Sequence, residues 1–231
     1  MDPFGRRCRR DDEPASEFFV KIQFVDFKQR SDRYEYLARE FSRFLSGSVL
    51  DVGCDRAVLK SLLPTLNHTG IDVDGNPTLR HDLEKIDRLP FDNDSFDCVL
   101  CLDVLEHLDN LHSMFSEAVR VAKRYMILSL PNNWSNARRP IERGRGSIGH
   151  YGLPAIPIPD RHKWFFSLSE AKDFIEAQQA THTVSLVEFR VSEKPRPIAI
   201  RILRRLRHPR QERYLNRYAH TLWAVLEKRR G

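Results

Sequence analysis

Apolar positions along the chain follow two rhythms. Ser31 stands as an N-cap before Tyr34, Leu37, Phe41, Phe44 and Leu45, whose spacing of i, i+3, i+7, i+10 and i+11 makes one helical face that Gly47 ends. Beyond Gly47 come short apolar runs separated by helical stretches: Val49 to Val52, Val58 to Leu63, Gly70 to Val73 and Phe96 to Cys101. Alternation of that kind describes βαβ units and a parallel sheet covered on both faces. Asp109 or Asn110 caps a further helix with Leu111, Met114, Phe115, Ala118, Val119 and Ala122 on one stripe, and Tyr125 to Leu130 reads as the next buried strand. Ser167 and Glu170 fit a capping box for a helix carrying Ala171, Phe174 and Ile175. Val187, Phe189 and Val191 alternate with charged residues, and Leu222 to Leu226 form a late apolar strand.

Two segments break the rhythm. Residues 1–16 alternate blocks of charge with nothing to build a core, and read as a disordered lead before a helical segment at 17–46. Pro131 to Phe166 holds five prolines and four glycines, with Arg138, Arg139, Arg143 and Arg145 among them, without a period, which describes a binding loop or lid at 131–166 within a domain at 47–193.

Charge changes the picture at the other end. From Lys194 to Gly231, twelve Lys and Arg face only Glu212 and Glu227, a local net of +10 in a chain whose total is +6. The basic segment 194–231 is expected to end in a strand of the same sheet. It contains Ile198, Ile200, Ile202, Leu203 and Leu206 interleaved with arginines; the expected placement is apolar stripe on the sheet and arginines outward. The alternative is a helix lying on an anionic membrane surface. Aromatics are too sparse there to make a nucleic-acid track the preferred partner. No apolar run approaches a membrane span and the first residues lack the apolar core of a secretory signal. Four cysteines, Cys8, Cys54, Cys98 and Cys101, make no disulfide framework, which points to a reducing compartment and a cytoplasmic location, peripheral to a membrane if the basic segment binds one.

The candidate chemistry lies at strand ends. Val49-Leu50-Asp51-Val52-Gly53-Cys54 places an acid near the end of a strand and a glycine at the turn, where open parallel sheets bind ligands. The following Asp55 and Ala57 leave one glycine only, a poor cradle for a dinucleotide pyrophosphate. Asp72 closes the next strand, where a carboxylate accepts hydrogen bonds from ribose hydroxyls. Cys98 and Cys101 sit at i, i+3 on one strand and project to opposite faces, which argues against a metal or redox pair.

Together with Asp82-Leu83, the run Leu89-Pro90-Phe91-Asp92-Asn93-Asp94-Ser95-Phe96-Asp97 and Leu105-Glu106-His107-Leu108, these residues resemble class I S-adenosylmethionine-dependent methyltransferases from about residue 47 to 131. The resemblance implies an α/β, Rossmann-like fold: a mostly parallel seven-stranded sheet with helices on both faces and an antiparallel last strand. It implies that Asp51, Gly53 and Cys54 hold the methionine end of S-adenosyl-L-methionine, Asp72 and Val73 the ribose, Asp82 and Leu83 the adenine, with Cys101 to Asp103 lining the sulfonium side. The chain departs at Asp55 and Ala57, where the family commonly has glycines. Arg120-Val121-Ala122 and Ser129-Leu130-Pro131-Asn132 are similar to small-molecule and sugar methyltransferases of bacterial biosynthetic and polysaccharide loci, which implies a small-molecule or glycan acceptor.

Asp103, Glu106 and His107 would share one face of a helical turn. The set is similar to the metal-binding acid-x-x-Glu-His of the ubiquinone-pathway O-methyltransferases and of the small-RNA 3′-terminal 2′-O-methyltransferases, the latter with a further histidine downstream. His162 stands in that place, giving a candidate divalent-metal set of Asp103, Glu106, His107 and His162. The alternative is that Leu-Glu-His is a structural corner. His107 and His162 are the candidate general bases, and the absence of an Asn/Asp-Pro-Pro-Tyr run favours an oxygen acceptor over nitrogen. A nucleic-acid methylase and a non-catalytic cofactor-binding or interaction protein remain the alternatives.

Overall fold

Strands β2 (Ser48–Val52) and β5 (Phe96–Leu102) are apolar on both faces and must be covered on both, and β3 (Asn67–Asp72), a more polar strand, pairs parallel with β2 as β5 does. The computed structural model describes residues 20–157 and 161–229. The lead expected at 1–16 and Cys8 lie outside the described residues. Eight strands form one sheet in the order β1-β7-β8-β6-β5-β2-β3-β4, with β1 at Lys21–Phe24, β4 at Leu79–Arg80, β6 at Ala122–Pro131, β7 at Val184–Glu193 and β8 at Ala219–Lys228. Only β8 is antiparallel to its neighbours, β6 and β7. The expected mostly parallel sheet with an antiparallel last strand is therefore present. It has eight strands rather than seven, because Lys21–Phe24 adds to the free edge of β7.

Successive residues of β5, β6 and β8 supply two cores, one on each face. Val99, Cys101, Met126, Leu128, Ala224 and Leu226 face helices α3 (Leu111–Val121) and α5 (Leu168–Thr181). Cys98, Leu100, Ile127, Trp223 and Val225 face α1 (Arg30–Glu40) and α2 (Val58–Leu62). Cys98 and Cys101 thus lie on opposite sides of the sheet, both buried, and burial pushes both thiols up. On the second face the Trp223 ring stacks on Phe41 at 5.6 Å between centroids and meets Tyr36 at 5.0 Å.

Local signals act much as read. Ser167 accepts the Glu170 N–H and Glu170 accepts the Ser167 N–H, closing the capping box of α5. Asn110 is the N-cap of α3, whereas α1 starts from Gln29, two residues before Ser31.

The largest differences concern two helices. Asn133–Arg143 forms helix α4 inside the segment read as an irregular loop. Pro140 within it and a polar composition hide the period, while Gly144 ends it in the left-handed conformation. Helix α6 (Ile198–Arg207) has no buried residue, and it turns its arginines inward, the reverse of the expected placement. Arg201 lies over the Phe24 ring at 3.5 Å, Arg204 over Tyr218 at 4.3 Å and Arg205 over Tyr214 at 4.0 Å. The two tyrosines belong to α7 (Gln211–Tyr218), so aromatic faces and cations rather than aliphatic contact seat this helix.

Arg190 of β7 ties the N-terminal helical layer to the sheet. It is 5% exposed, pairs with Glu40 at 2.7 Å and with Glu188, and lies over the Phe41 ring at 4.7 Å. Burial raises the Glu40 carboxyl, but hydrogen bonds from Arg39 and Arg190 outweigh it and hold the group below the ordinary carboxylate range. Arg190→Met should cost about 2–3 kcal/mol of unfolding free energy at neutral pH, a buried-pair loss discounted because the acids reach solvent. A carboxyl depressed in the folded state stabilises above its unfolded value of about 4.3 and loses that contribution as pH falls through the folded one. Urea titrations should therefore show the wild-type advantage shrinking below about pH 4; a gap independent of pH would refute the assignment.

Candidate active site

The carboxyl ends of β2, β3 and β5 meet at one edge, and the turns that follow them interlock. Gly53 has φ of +76°, and a Cβ there would stand 2.6 Å from the Val104 side chain, so this position admits only glycine. Asp55 and Ala57 take the same left-handed region, with φ of 45° and 52°. The loop therefore keeps a glycine-like path at the two positions where the sequence departs from the family. Neighbours hold it there. The Asp55 N–H donates to Asp72 at 2.7 Å, the Ala57 N–H to the Cys54 carbonyl at 2.8 Å, and the Asp55 carbonyl accepts the Asn76 N–H at 2.7 Å. Asp72 also accepts the Asp74 N–H at 3.2 Å, so its carboxylate fixes both turns, and each oxygen keeps acceptor capacity beyond the one bond it makes.

Asp51 lies beneath this edge, fully buried. The Tyr34 hydroxyl donates to it at 3.3 Å and His68 Nε2 lies 3.3 Å away. Burial raises its pKa against those two contacts. Burial, followed by the charge of Asp51, also pushes the Cys54 thiol up to about 12, so Cys54 is no nucleophile. Asp103, left-handed at φ of 48°, pairs with Arg33 at 2.5 Å and accepts the Ser129 hydroxyl at 2.5 Å.

The residues present suit S-adenosylmethionine. Gly53 leaves room for close backbone approach, Asp72 presents acceptors at the strand end, and Val73 offers an apolar side chain that is 54% exposed. Asp82 is held below its ordinary range by Lys85 and the Glu84 N–H. Leu83 and Cys101 are buried in the core, so neither presents its side chain at the strand edge. A depression of about 650 Å³ bordered by Gly47, Ser48, Asn67 and Asp97 sits at the amino ends of the strands, the wrong edge for a ligand of this fold.

Glu106, His107 and His162 converge, with one ligand atom from each lying within 4.8 Å of the others. Asp103, the fourth of the expected set, is not part of that cluster. The short helical turn Leu105–His107 and the end of the long loop are fastened together: the Glu106 carbonyl accepts the Lys163 N–H at 2.8 Å and the Leu108 carbonyl accepts the Trp164 indole N–H at 2.7 Å. Their hydrogen bonds set the histidine tautomers. His107 Nδ1 faces the Arg161 carbonyl at 3.2 Å, which can only accept. The Tyr151 hydroxyl gives its proton to the Trp164 carbonyl and so accepts from His162 Nδ1 at 3.1 Å. Both rings thus carry the lone pair on Nε2 in their neutral forms. Burial and the Glu106 charge raise the Tyr151 phenol, which stays protonated.

Sequence reasoning missed Arg33, Tyr34, His68, His150 and Tyr151. His150 stacks on His162 at 4.4 Å between centroids, and Tyr151 fixes His162, yet neither stands at a telling spacing. Tyr34 was legible only as a core aromatic.

Gly75 closes the interlock. With φ of +73°, a Cβ there would fall 2.1 Å from the Asp55 carbonyl oxygen. Gly75→Ala should lower the melting temperature by at least about 5 °C, from ~2 kcal/mol of left-handed strain and clash. An unchanged transition by circular dichroism would show that the two turns are not locked.

The chain matches the family model described as a methyltransferase domain over residues 29–181. A small RNA methyltransferase, HEN1, shares the fold with a TM-score of 0.57 at 17% identity, over 94% of this chain and 27% of its own length. An S-adenosylmethionine-dependent methyltransferase from Archaeoglobus fulgidus gives 0.53 at 17% identity, covering 88% of this chain and 96% of its own. The [4+2]-cyclase SpnF gives 0.53 at 11%, covering 87% and 82%. No curated protein sequence matches the chain. Identities this low carry the fold alone, and relatives with such different names show that the fold does not set the reaction. The family match over most of the described chain, on an edge built around Gly53 and Asp72, establishes that the chain belongs to the methyltransferase-domain family, with an S-adenosylmethionine-dependent methyltransferase fold.

Proposed function

We propose that the protein methylates an oxygen of a small-molecule or sugar-containing acceptor, with a divalent cation held by Glu106, His107 and His162. The observation that carries this reading is the convergence of those three groups beside the cofactor edge. S-adenosylmethionine, when bound, supplies a methyl group on a sulfonium. Asp72 and Val73 would hold its ribose, Asp82 and Leu83 its adenine side, and the Gly53–Cys54 turn the methionine end, with buried Asp51 supporting that turn from beneath rather than touching the ligand. A divalent cation at such a site lowers the pKa of an acceptor hydroxyl. Glu106 brings a buried carboxylate and the histidines bring Nε2 lone pairs, a mixed oxygen and nitrogen donor set that suits such an ion. The same lone pairs can take the acceptor proton directly. Tyr151 and the Arg161 carbonyl keep both rings oriented for either role.

A nucleic-acid acceptor is the second reading, supported by the basic C-terminal segment. Against it, Arg201, Arg204 and Arg205 are engaged with Phe24, Tyr218 and Tyr214 rather than presented to a phosphate track.

Demethylated cofactor at about a hundred times its dissociation constant should raise the melting temperature by roughly 5–10 °C, and Asp72→Ala should reduce that shift. Manganese should add a further shift that His162→Asn and Glu106→Gln abolish while the cofactor shift persists. No cofactor shift would remove the enzyme reading. A cofactor shift with full methyl transfer after exhaustive chelation would remove the metal and leave His107 or His162 as base.

A further inference from the structure

The outer face of α6 is an apolar feature that nothing among the described residues covers. Ile198, Ile202, Leu203 and Leu206 are 71%, 54%, 66% and 74% exposed. On a helical wheel they occupy one continuous arc, with Arg204 opposite it and Arg201 and Arg205 between Arg204 and the edge of the arc at Ile198. Those three arginines fix the helix by its polar side. Besides their aromatic contacts, Arg204 pairs with Glu193 at 2.8 Å, a carboxylate only 1% exposed. Rotating the helix to bury its leucines would strip a buried acid of its partner, so the body of the protein holds the apolar arc toward solvent.

Its surroundings name the occupant. Exposed Arg196, Arg207, Arg210 and Arg213 flank the arc, in a segment of local net charge +10. Past the end of α6, His208 and Arg213 line a groove of about 490 Å³ with Trp134, Ile141 and Phe165. Of these, Trp134, Ile141 and Phe165 are 50%, 66% and 47% exposed. Tyr218 lies 5.6 Å from the Arg138 guanidinium of α4 and, on the inward side of α6, 4.3 Å from that of Arg204, so α7 packs against both helices. Aliphatic arc, tryptophan and phenylalanine beside it, and a basic rim are the composition of a surface that enters the headgroup region of an anionic bilayer. A second copy meeting this face with its own would require acidic groups to meet the rim, and the exposed acids Glu142 and Glu212 of α4 and α7 are engaged with Arg217 and Ser169.

We infer that α6 and the adjoining groove dock the protein on an anionic lipid bilayer, with the apolar arc inserted and the arginines on the headgroups.

Co-sedimentation of the full chain with phosphatidylcholine and with mixed phosphatidylcholine–phosphatidylglycerol vesicles tests this. The protein should pellet with the mixed vesicles only. Leu203→Glu/Leu206→Glu, two exposed positions whose replacement leaves the circular dichroism melt unchanged, should abolish pelleting. Each of Arg207→Gln, Arg210→Gln and Arg213→Gln should weaken partitioning by about fivefold. Recovery in the supernatant with both vesicle types would overturn the inference. So would pelleting that the double glutamate variant retains, which is electrostatic adsorption without insertion. A concentration-dependent dimer that the same variant dissociates, without vesicle binding, would assign the face to a second copy and equally overturn it.

Discussion

A carboxylate that no water reaches has to be answered from inside the protein, and Asp51 is such a group. Its position in β2 points it under the ligand edge, where Tyr34 from α1 and His68 from β3 supply its partners. That requirement draws α1 across the end of the sheet. Arg33, adjacent to Tyr34, then reaches Asp103 after β5, and Ser129 at the end of β6 completes the grip on that acid. The left-handed corner at Asp103 sends the chain directly into the turn carrying Glu106 and His107. A single buried charge thus connects the N-terminal helix, three strand ends and the placement of the candidate metal residues.

The glycine loop shows how a strained path survives without its usual residues. An L-residue in the left-handed region costs roughly 1–2 kcal/mol, less for aspartate, whose short polar side chain suits it. Asp55 and Ala57 both bear this cost because the hydrogen bonds to Asp72, Cys54 and Asn76 leave the backbone no alternative that keeps its polar groups satisfied. Conformation here is set by the surrounding turns more than by residue type. The substitutions that set this chain apart from its resembled family therefore leave the loop's course intact.

The same distinction explains what was legible in the sequence. Strands with continuous apolar runs, the acids at their ends and the capping box at Ser167 rest on local patterns, and the sheet reproduces them. The convergence of His162 with Glu106 and His107 was legible as residue types in order, although the pairing depends on contacts between residues more than fifty apart. Asp103 was misplaced because spacing shows which residues share a helical face but not that Arg33 and Ser129 compete for one of them. Helix α4 was hidden by Pro140 and by an apolar stripe of only Trp134, Ala137 and Ile141, all of which line a surface groove, with Trp134 and Ile141 exposed. Its anchor is polar: Asn132, fully buried, gives its amide protons to carbonyls at the end of α7 and the start of β8.

Orientation of α6 was the harder question, since an amphipathic period states that a helix has two faces without saying which one the body takes. Transfer of aliphatic surface from water ordinarily decides it, at about 25 cal/mol per Å². Here Glu193 decides it instead. It sits at the end of β7 with 1% exposure, where Arg204 and the Tyr214 hydroxyl at 2.7 Å answer it. An unanswered buried carboxylate costs several kcal/mol, more than burying one or two leucines returns. Glu193 thus does at one side of the sheet what Asp51 does at the ligand edge: a buried acid selects the face of the helix that covers it. Because Phe165, two residues after Lys163, lines the groove past the end of that helix while His162 faces Glu106, the groove and the candidate active site are carried on one short stretch of chain.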